Sequence, residues 1–111
     1  MKINLKKFFK SNLLVSPEKA LKIYAEVLEP LKQKKEVTLD FDGIQATTLV
    51  FLFVFFTRLW ENFGKELKTK LLIKNASDSL IKEIIYLEKN YKTLYEKFKS
   101  SHSNFQIAYL Q

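Results

Sequence analysis

The sequence has few of the residue types on which common functional sites depend. Among 111 residues there is no cysteine, and there are only two glycines, two prolines and one histidine, His102. Without cysteine the chain forms no disulfide and has neither a thiolate nucleophile nor a zinc–cysteine site. Two glycines are too few for a glycine-rich phosphate loop. We therefore expect a protein that is not an enzyme and has no cofactor and no metal.

Negative charge is also in short supply, and the positive charge is carried by lysine. Lysine and arginine total 19 against 12 aspartates and glutamates, for a formal net charge of +7, and Arg58 is the only arginine. Recognition of bases and phosphates favours the two-pronged guanidinium group of arginine. The lysine excess therefore favours a solvated surface, with a basic nucleic-acid-binding module as a third-ranked hypothesis.

Long apolar runs are absent as well. The longest, residues 49–56, contains eight apolar side chains, whereas a helix needs roughly 20 to cross a bilayer. The first ten residues alternate lysine with apolar side chains and contain no apolar region of the signal-peptide type. These features predict a soluble cytoplasmic protein with no membrane partner.

Strand and helix signals alternate along the chain. Ser16 followed by Pro17 predicts the start of a first helix, and Pro30 predicts its end near Glu29. The other predicted elements are strands at residues 2–9, 37–41 and 67–73, a second helix from Thr47 or Thr48 to Asn62 or Phe63, a third helix at 79–99 and a final edge strand at 104–110. We predict a small single α/β domain spanning residues 1–111, with a sheet of about four strands and helices packed on it.

The third helix has an apolar stripe at heptad spacing, formed by Leu80, Ile84, Leu87, Tyr91, Leu94 and Phe98. A continuous helix over residues 79–99 is roughly 30 Å long, which is more than a small sheet requires. Its distal half is therefore expected either to bend at Asn90 or to pack elsewhere.

The motifs, taken in order, resemble the bacterial STAS-like family, whose members are small relatives of anti-sigma-factor antagonists. The segments that carry the resemblance are residues 16–20 (SPEKA), 37–44 (VTLDFDGI) followed by Thr48, Phe51 and Leu52, and 72–76 (LIKNA). The resemblance covers about residues 2–85 and leaves residues 86–111 as a C-terminal extension. It implies a STAS-type α/β domain that acts as a protein-interaction module rather than a catalyst.

The resemblance also implies a partner class and a regulatory position. In the better-known antagonists, a serine at the start of the second helix is phosphorylated by a kinase that is also an anti-sigma factor. Thr47 and Thr48 match that position here, close to the predicted turn at Asp42 and Gly43, although Thr48 is alternatively a simple helix cap. The implied partner is a histidine-kinase-like ATPase or an anti-sigma-type regulator, in a partner-switching pathway.

At 100° per residue, the second helix has apolar side chains on two opposite faces. One face is the predicted core. The other, which we call the outer face, carries the predicted partner-binding residues Val50, Phe53, Val54, Thr57 and Glu61, with Trp60 at its border. One alternative is that the C-terminal extension covers the outer face. Another is that the chain is a self-associating or inhibitory structural protein in which this face and the third helix form a homodimer.

Asp40 and Asp42 form a pair of carboxylates around the end of the second predicted strand. Acid–base or metal chemistry needs a further histidine, lysine or carboxylate beside them, and the sequence places none there. We therefore predict that Asp40 is a hydrogen-bonding residue at a strand end.

Overall fold

The computed structural model describes residues 1–101, with side chains described as far as Lys97. The predicted edge strand at 104–110 and His102 lie outside the described residues. The described elements are β1 (Lys2–Asn4), α1 (Leu5–Phe9), β2 (Leu13–Leu14), α2 (Pro17–Lys32), β3 (Val37–Asp40), β4 (Ala46–Thr47), α3 (Leu49–Phe63), a 3-10 turn (Gly64–Glu66), α4 (Leu67–Lys70), β5 (Leu71–Lys74) and α5 (Asp78–Ser101). The domain is thus mixed α/β, as predicted.

The main sheet has three parallel strands in the order β1-β3-β5. Ile3 pairs with Leu39 and Leu39 with Ile73, so these apolar side chains lie on one face and pack into the core. On the opposite face, Thr38 of β3 pairs with Lys2 of β1 and with Leu72 of β5. The side chains of Lys2 and Leu72 are exposed. The core therefore lies on one side of the sheet.

A second, smaller sheet corrects the predicted strand count. β2 and β4 pair with each other in parallel, Leu13 with Ala46 and Leu14 with Thr47, instead of joining the main sheet. Among residues 1–101 there are thus two sheets, of three and two strands, in place of one sheet of about four. The predicted strand at 2–9 is also shorter, because Asn4 caps α1 by accepting a hydrogen bond from the Lys7 amide at 2.9 Å.

Two element boundaries differ from the prediction. α2 begins after Ser16, as predicted, but continues through Pro30 to Lys32. Helical hydrogen bonding continues past the proline, where the amide of Gln33 donates to the Glu29 carbonyl at 3.0 Å. The predicted strand at 67–73 begins only at Leu71, since Leu67–Lys70 forms a helical turn.

Helix α3 is the centre of the core. It begins after Thr48, whose hydroxyl accepts a hydrogen bond from the Phe51 amide at 3.2 Å, and ends before Gly64, which has a φ of 57°. Its buried residues are Phe51, Leu52, Phe53, Val54, Phe55, Phe56, Thr57, Leu59 and Trp60. They point in all directions around the axis, because α2 and α5 both pack against this helix.

Helix α5 extends without interruption through Asn90, whose side-chain amide donates to the Tyr86 carbonyl at 2.8 Å. Beyond Asn90, Tyr91, Leu94 and Tyr95 are partly buried against the core. The distal half of the helix therefore packs on the same domain. Within residues 1–101, no helix is both long and apolar enough to cross a membrane.

Candidate functional site

The outer face of the predicted second helix, which is α3, is largely buried. Phe53 and Val54 are each 2% exposed and Thr57 is 1% exposed. The expectation that these side chains form an exposed patch is therefore wrong, and the physical reason is the packing of α3 between α2 and α5. Of the six residues predicted to bind a partner, only Val50 and Glu61 are exposed.

Trp60 shows how the C-terminal extension contributes to this burial. Its ring lies 5.3 Å from that of Tyr91 and 5.4 Å from that of Phe56, measured between ring centroids. Tyr91 belongs to the region beyond residue 85. At Trp60, then, the extension covers the helix, and the indole is a core side chain with 7% exposure.

Exposed apolar side chains gather instead around the start of α3. Leu49 and Val50 are 46% and 48% exposed, and Leu13 and Val15 are 42% and 43% exposed. We call these four residues the apolar patch. The backbone places them together, because the Thr48 amide donates to the Leu14 carbonyl at 3.0 Å and the Thr48 hydroxyl donates to the Val15 carbonyl at 3.1 Å.

The two candidate phosphoacceptors differ in their hydrogen bonds. The Thr48 hydroxyl both caps α3 and donates to Val15, so it already holds β2 against the helix start. The Thr47 hydroxyl makes no hydrogen bond with any residue in the described part of the chain. Thr47 is half-buried and lines a cavity of about 480 Å³ that is also lined by Gly43 and Asn75. Of the two threonines, Thr47 has the freer oxygen.

At the carboxyl ends of the main sheet, Asp40 joins the three strands. Its Oδ1 accepts hydrogen bonds from the Asn75 side chain at 2.8 Å and from the Asp42 amide at 2.9 Å. Its Oδ2 lies 3.5 Å from the Asn4 amide nitrogen. The bond from Asn75, followed by that from the Asp42 amide, holds the pKa of Asp40 below its ordinary value. This geometry agrees with a strand-end hydrogen-bonding role.

We expect Asp40→Asn to lower the melting temperature at pH 7 by several degrees, because the new amide group faces donors rather than acceptors. The pKa of Asp40 is lower in the folded chain than its ordinary 3.8, so the unfolded chain binds more protons in acid. The contribution of this carboxylate to the free energy of unfolding is fully present above its ordinary pKa. It is lost as the pH falls through the pKa that Asp40 has in the folded chain. Thermal unfolding between about pH 7 and pH 2 measures this loss.

Glu66→Gln provides the control. The pKa of Glu66 is also lowered, chiefly by the hydrogen bond from Lys34, but this carboxylate is on the surface, with 56% of its side chain exposed. Its replacement is expected to change the acid profile little. Identical acid profiles for the native protein and Asp40→Asn would contradict the role given to Asp40.

The turn after Asp40 requires a glycine. Gly43 has a φ of 84°, and a Cβ at this position would lie 2.6 Å from the Cδ of Lys6. The stem of Lys6 thus lies directly over the turn. On that side the turn borders a second cavity, of about 600 Å³, lined by Asn4, Lys6, Lys7, Lys10, Ser11, Asn12, Asp42 and Gly43. Among the described residues, no group of three or more histidines, cysteines or carboxylates is placed to hold a metal ion.

The parallel sheet, the capped central helix and the turn between them define a small α/β domain of the STAS-like class. The family model described as STAS-like domain of unknown function (DUF4325) matches residues 19–80, which is more than half of the chain. The chain belongs to this family, and the resemblance inferred from its motifs is confirmed. Neither a curated protein nor a solved structure matches the chain significantly.

Sequence reasoning predicted only Val50 of the four residues in the apolar patch and missed Leu13, Val15 and Leu49. A two-residue strand shows no periodicity, so β2 gave no strand signal. The available clue was the apolar run Leu13-Leu14-Val15 directly before the cap of α2, which is more apolar than a connecting loop requires.

Proposed function

We propose that this STAS-like domain is a non-enzymatic protein-interaction module whose apolar patch binds a regulatory protein partner. The observation that supports the proposal is the concentration of Leu13, Val15, Leu49 and Val50 around one helix start, each more than 40% exposed. Only eight large apolar side chains of the described chain are exposed, and four of them belong to this patch. Contiguous exposed apolar surface is characteristic of protein-binding sites.

Charge indicates the chemistry of the partner. The chain carries a net charge of +7, and Lys19 lies at the edge of the patch, where its ammonium group donates to the Leu13 carbonyl at 2.9 Å. A complementary partner surface has an apolar centre with carboxylates around it. The family resemblance suggests a histidine-kinase-like ATPase or an anti-sigma-type regulator, and we propose a partner of that class.

Thr47 provides a route for regulation in this proposal. It precedes Thr48, which begins α3, and its hydroxyl is free of hydrogen bonds to described residues. A phosphate there adds a charge of about −1.5 to −2 beside the apolar patch. Because the proposed partner surface is acidic, this charge is expected to weaken the complex, as in a partner-switching pathway.

Val50→Asp tests the proposal. Val50 is the second residue of α3 and is 48% exposed. An aspartate there is expected to keep the fold, because the positive end of the helix dipole stabilises its negative charge. A charge in the centre of an apolar interface is expected to weaken partner binding at least about tenfold. The partner is first captured from a native extract, and its affinity for each purified variant is then measured by calorimetry.

Ile85→Asp is the matched control, since Ile85 is 46% exposed but lies on α5. A partner that binds the native protein and Ile85→Asp but not Val50→Asp supports the proposal. Equal binding by all three proteins contradicts it.

Self-association is the competing explanation for the same patch. Light scattering at high micromolar concentration measures it directly. If the native protein is a homodimer and Val50→Asp is a monomer, the apolar patch binds a second copy of the chain and not a regulatory partner. A monomeric native protein counts against the homodimer.

A further inference from the structure

The described residues that line the cavity of about 600 Å³ beside the Asp42–Gly43 turn are all polar, charged or glycine. It lies at the carboxyl end of the main sheet, where β1 continues into α1 and β3 continues into the turn. Ligands of open parallel sheets bind outside the carboxyl ends of the strands. The cavity thus has the position of a ligand site and a lining that suits a charged ligand.

Three lysines give this cavity its charge. The ammonium groups of Lys6, Lys7 and Lys10 form no hydrogen bond or ion pair with any side chain or backbone group described for the chain. Other lysines do find partners, such as Lys34, which lies 2.7 Å from a Glu66 carboxylate oxygen. One carboxylate, that of Asp42, also lines the cavity. The lining therefore keeps an excess of two positive charges without internal compensation.

The backbone of Lys10 gives an independent indication. Within residues 1–101, three non-glycine residues adopt the left-handed conformation, Lys10, Lys34 and Asn75, which is unfavourable for a side chain such as lysine. The side chain of Asn75 donates a hydrogen bond to Asp40, and the ammonium group of Lys34 donates one to Glu66. Lys10 occupies the C-cap of α1, where glycine or asparagine is usual. There its backbone amide donates to the Lys6 carbonyl and closes α1, and the side chain that a glycine or asparagine would lack adds a positive charge to the cavity lining.

We propose that Lys6, Lys7 and Lys10 form a binding site for a phosphate-type dianion. No aromatic or aliphatic residue of the described chain lines the cavity, so none of these residues stacks on a nucleobase or buries an acyl chain there. The ligand is therefore recognised by a compact phosphoryl group, whether free phosphate or the phosphoserine of a protein. The site is separate from the apolar patch and does not depend on the function proposed for it.

The test is a titration of the isotopically labelled protein with sodium phosphate and, in a second arm, with N-acetyl-phosphoserine amide, followed by amide resonances at constant ionic strength. Saturable shifts at Lys6, Lys7, Lys10 and the Gly43 amide are expected. Binding of phosphate alone identifies a free phosphate ligand, and binding of the blocked phosphoserine identifies a phosphorylated protein; either supports the site. The absence of saturable shifts in both arms overturns it.

Charge variants locate the site. Lys10→Asn is expected to weaken binding about three- to tenfold while leaving the melting temperature unchanged or higher, because asparagine tolerates the left-handed backbone better than lysine. Asp42→Asn is expected to tighten binding by a similar factor, since it removes an anionic group from the lining.

Lys82→Gln is the control, because it removes one exposed lysine from α5, outside the cavity lining. Equal weakening by Lys82→Gln and Lys10→Asn would show a diffuse attraction of anions and overturn the proposal. A short single-stranded oligonucleotide that binds more tightly than phosphate and shifts lysines throughout the surface, with steep salt dependence, would overturn it in favour of nucleic-acid binding.

Discussion

Replacing Phe53 by aspartate is expected to unfold the domain. The Phe53 side chain is 2% exposed on a helix whose other faces are also buried, so the substitution both empties the volume of a phenyl ring and places a carboxylate in the core. The expected loss is more than about 4 kcal/mol, which is comparable with the whole stability of many small domains. Far-ultraviolet circular dichroism and thermal unfolding measure the effect.

Val50→Asp is the matched comparison, because it introduces the same charge three residues earlier on the same helix, at a side chain that is 48% exposed. The melting temperature of this variant is expected to equal that of the native protein or to lie slightly above it. A Phe53→Asp variant with a native melting temperature would show that α3 has an accessible outer face after all.

The second large effect is expected at Trp60. Its indole stacks on Phe56 within α3 and contacts Tyr91 of α5, so Trp60→Ala removes the aromatic group that joins the two helices. The expected cost is about 3–5 kcal/mol, as for other buried large aromatic side chains. Urea denaturation followed by circular dichroism gives the loss in the free energy of unfolding.

A double-mutant cycle isolates the contact between the helices. With Tyr91→Ala as the second change, the coupling energy between the two rings is expected to be about 0.5–1.5 kcal/mol. Tyr86→Ala is the control on α5, because Tyr86 is 53% exposed and is expected to couple negligibly with Trp60. A coupling near zero for the pair of Trp60 and Tyr91 would contradict the proposed attachment of α5 through these rings.

The boundaries of α3 were predictable because they depend on local chemistry. Thr48 provides a hydroxyl cap and Gly64 a residue that accepts positive φ, and both signals are visible within a few residues of the sequence. The apolar side chains on both sides of the helix were also visible in the sequence, although the structure buries them all around the axis. What covers the second face depends on α2 and α5, which lie far away in the chain, and no periodicity within α3 contains that information.

The smaller elements escaped prediction for a different reason. β2 and β4 have two residues each, and such strands exist only because the backbone around Thr48 holds them together. Pro30 was read as a terminator, but α2 continues through it for two more residues. Boundaries that depend on tertiary contacts or on the position within a turn are not visible in local patterns.

The candidate sites show the same division. The turn at Asp42 and Gly43 and the strand-end role of Asp40 followed from residue types and their order. The cavity lysines did not stand out among eighteen lysines, because their significance depends on the left-handed backbone of Lys10 and on the missing carboxylate partners. Only the three-dimensional arrangement distinguishes them.

The central position of α3 also governs how the domain holds together as a folding unit. The fragment before Gly43 contains β1, α2 and β3 but lacks the helix that covers their apolar surfaces, and the fragment after it lacks the strand on which β5 pairs. Neither fragment has a complete hydrophobic interior. We therefore expect native structure in either half to require the other, and the described part of the chain to melt in a single cooperative transition rather than in stages.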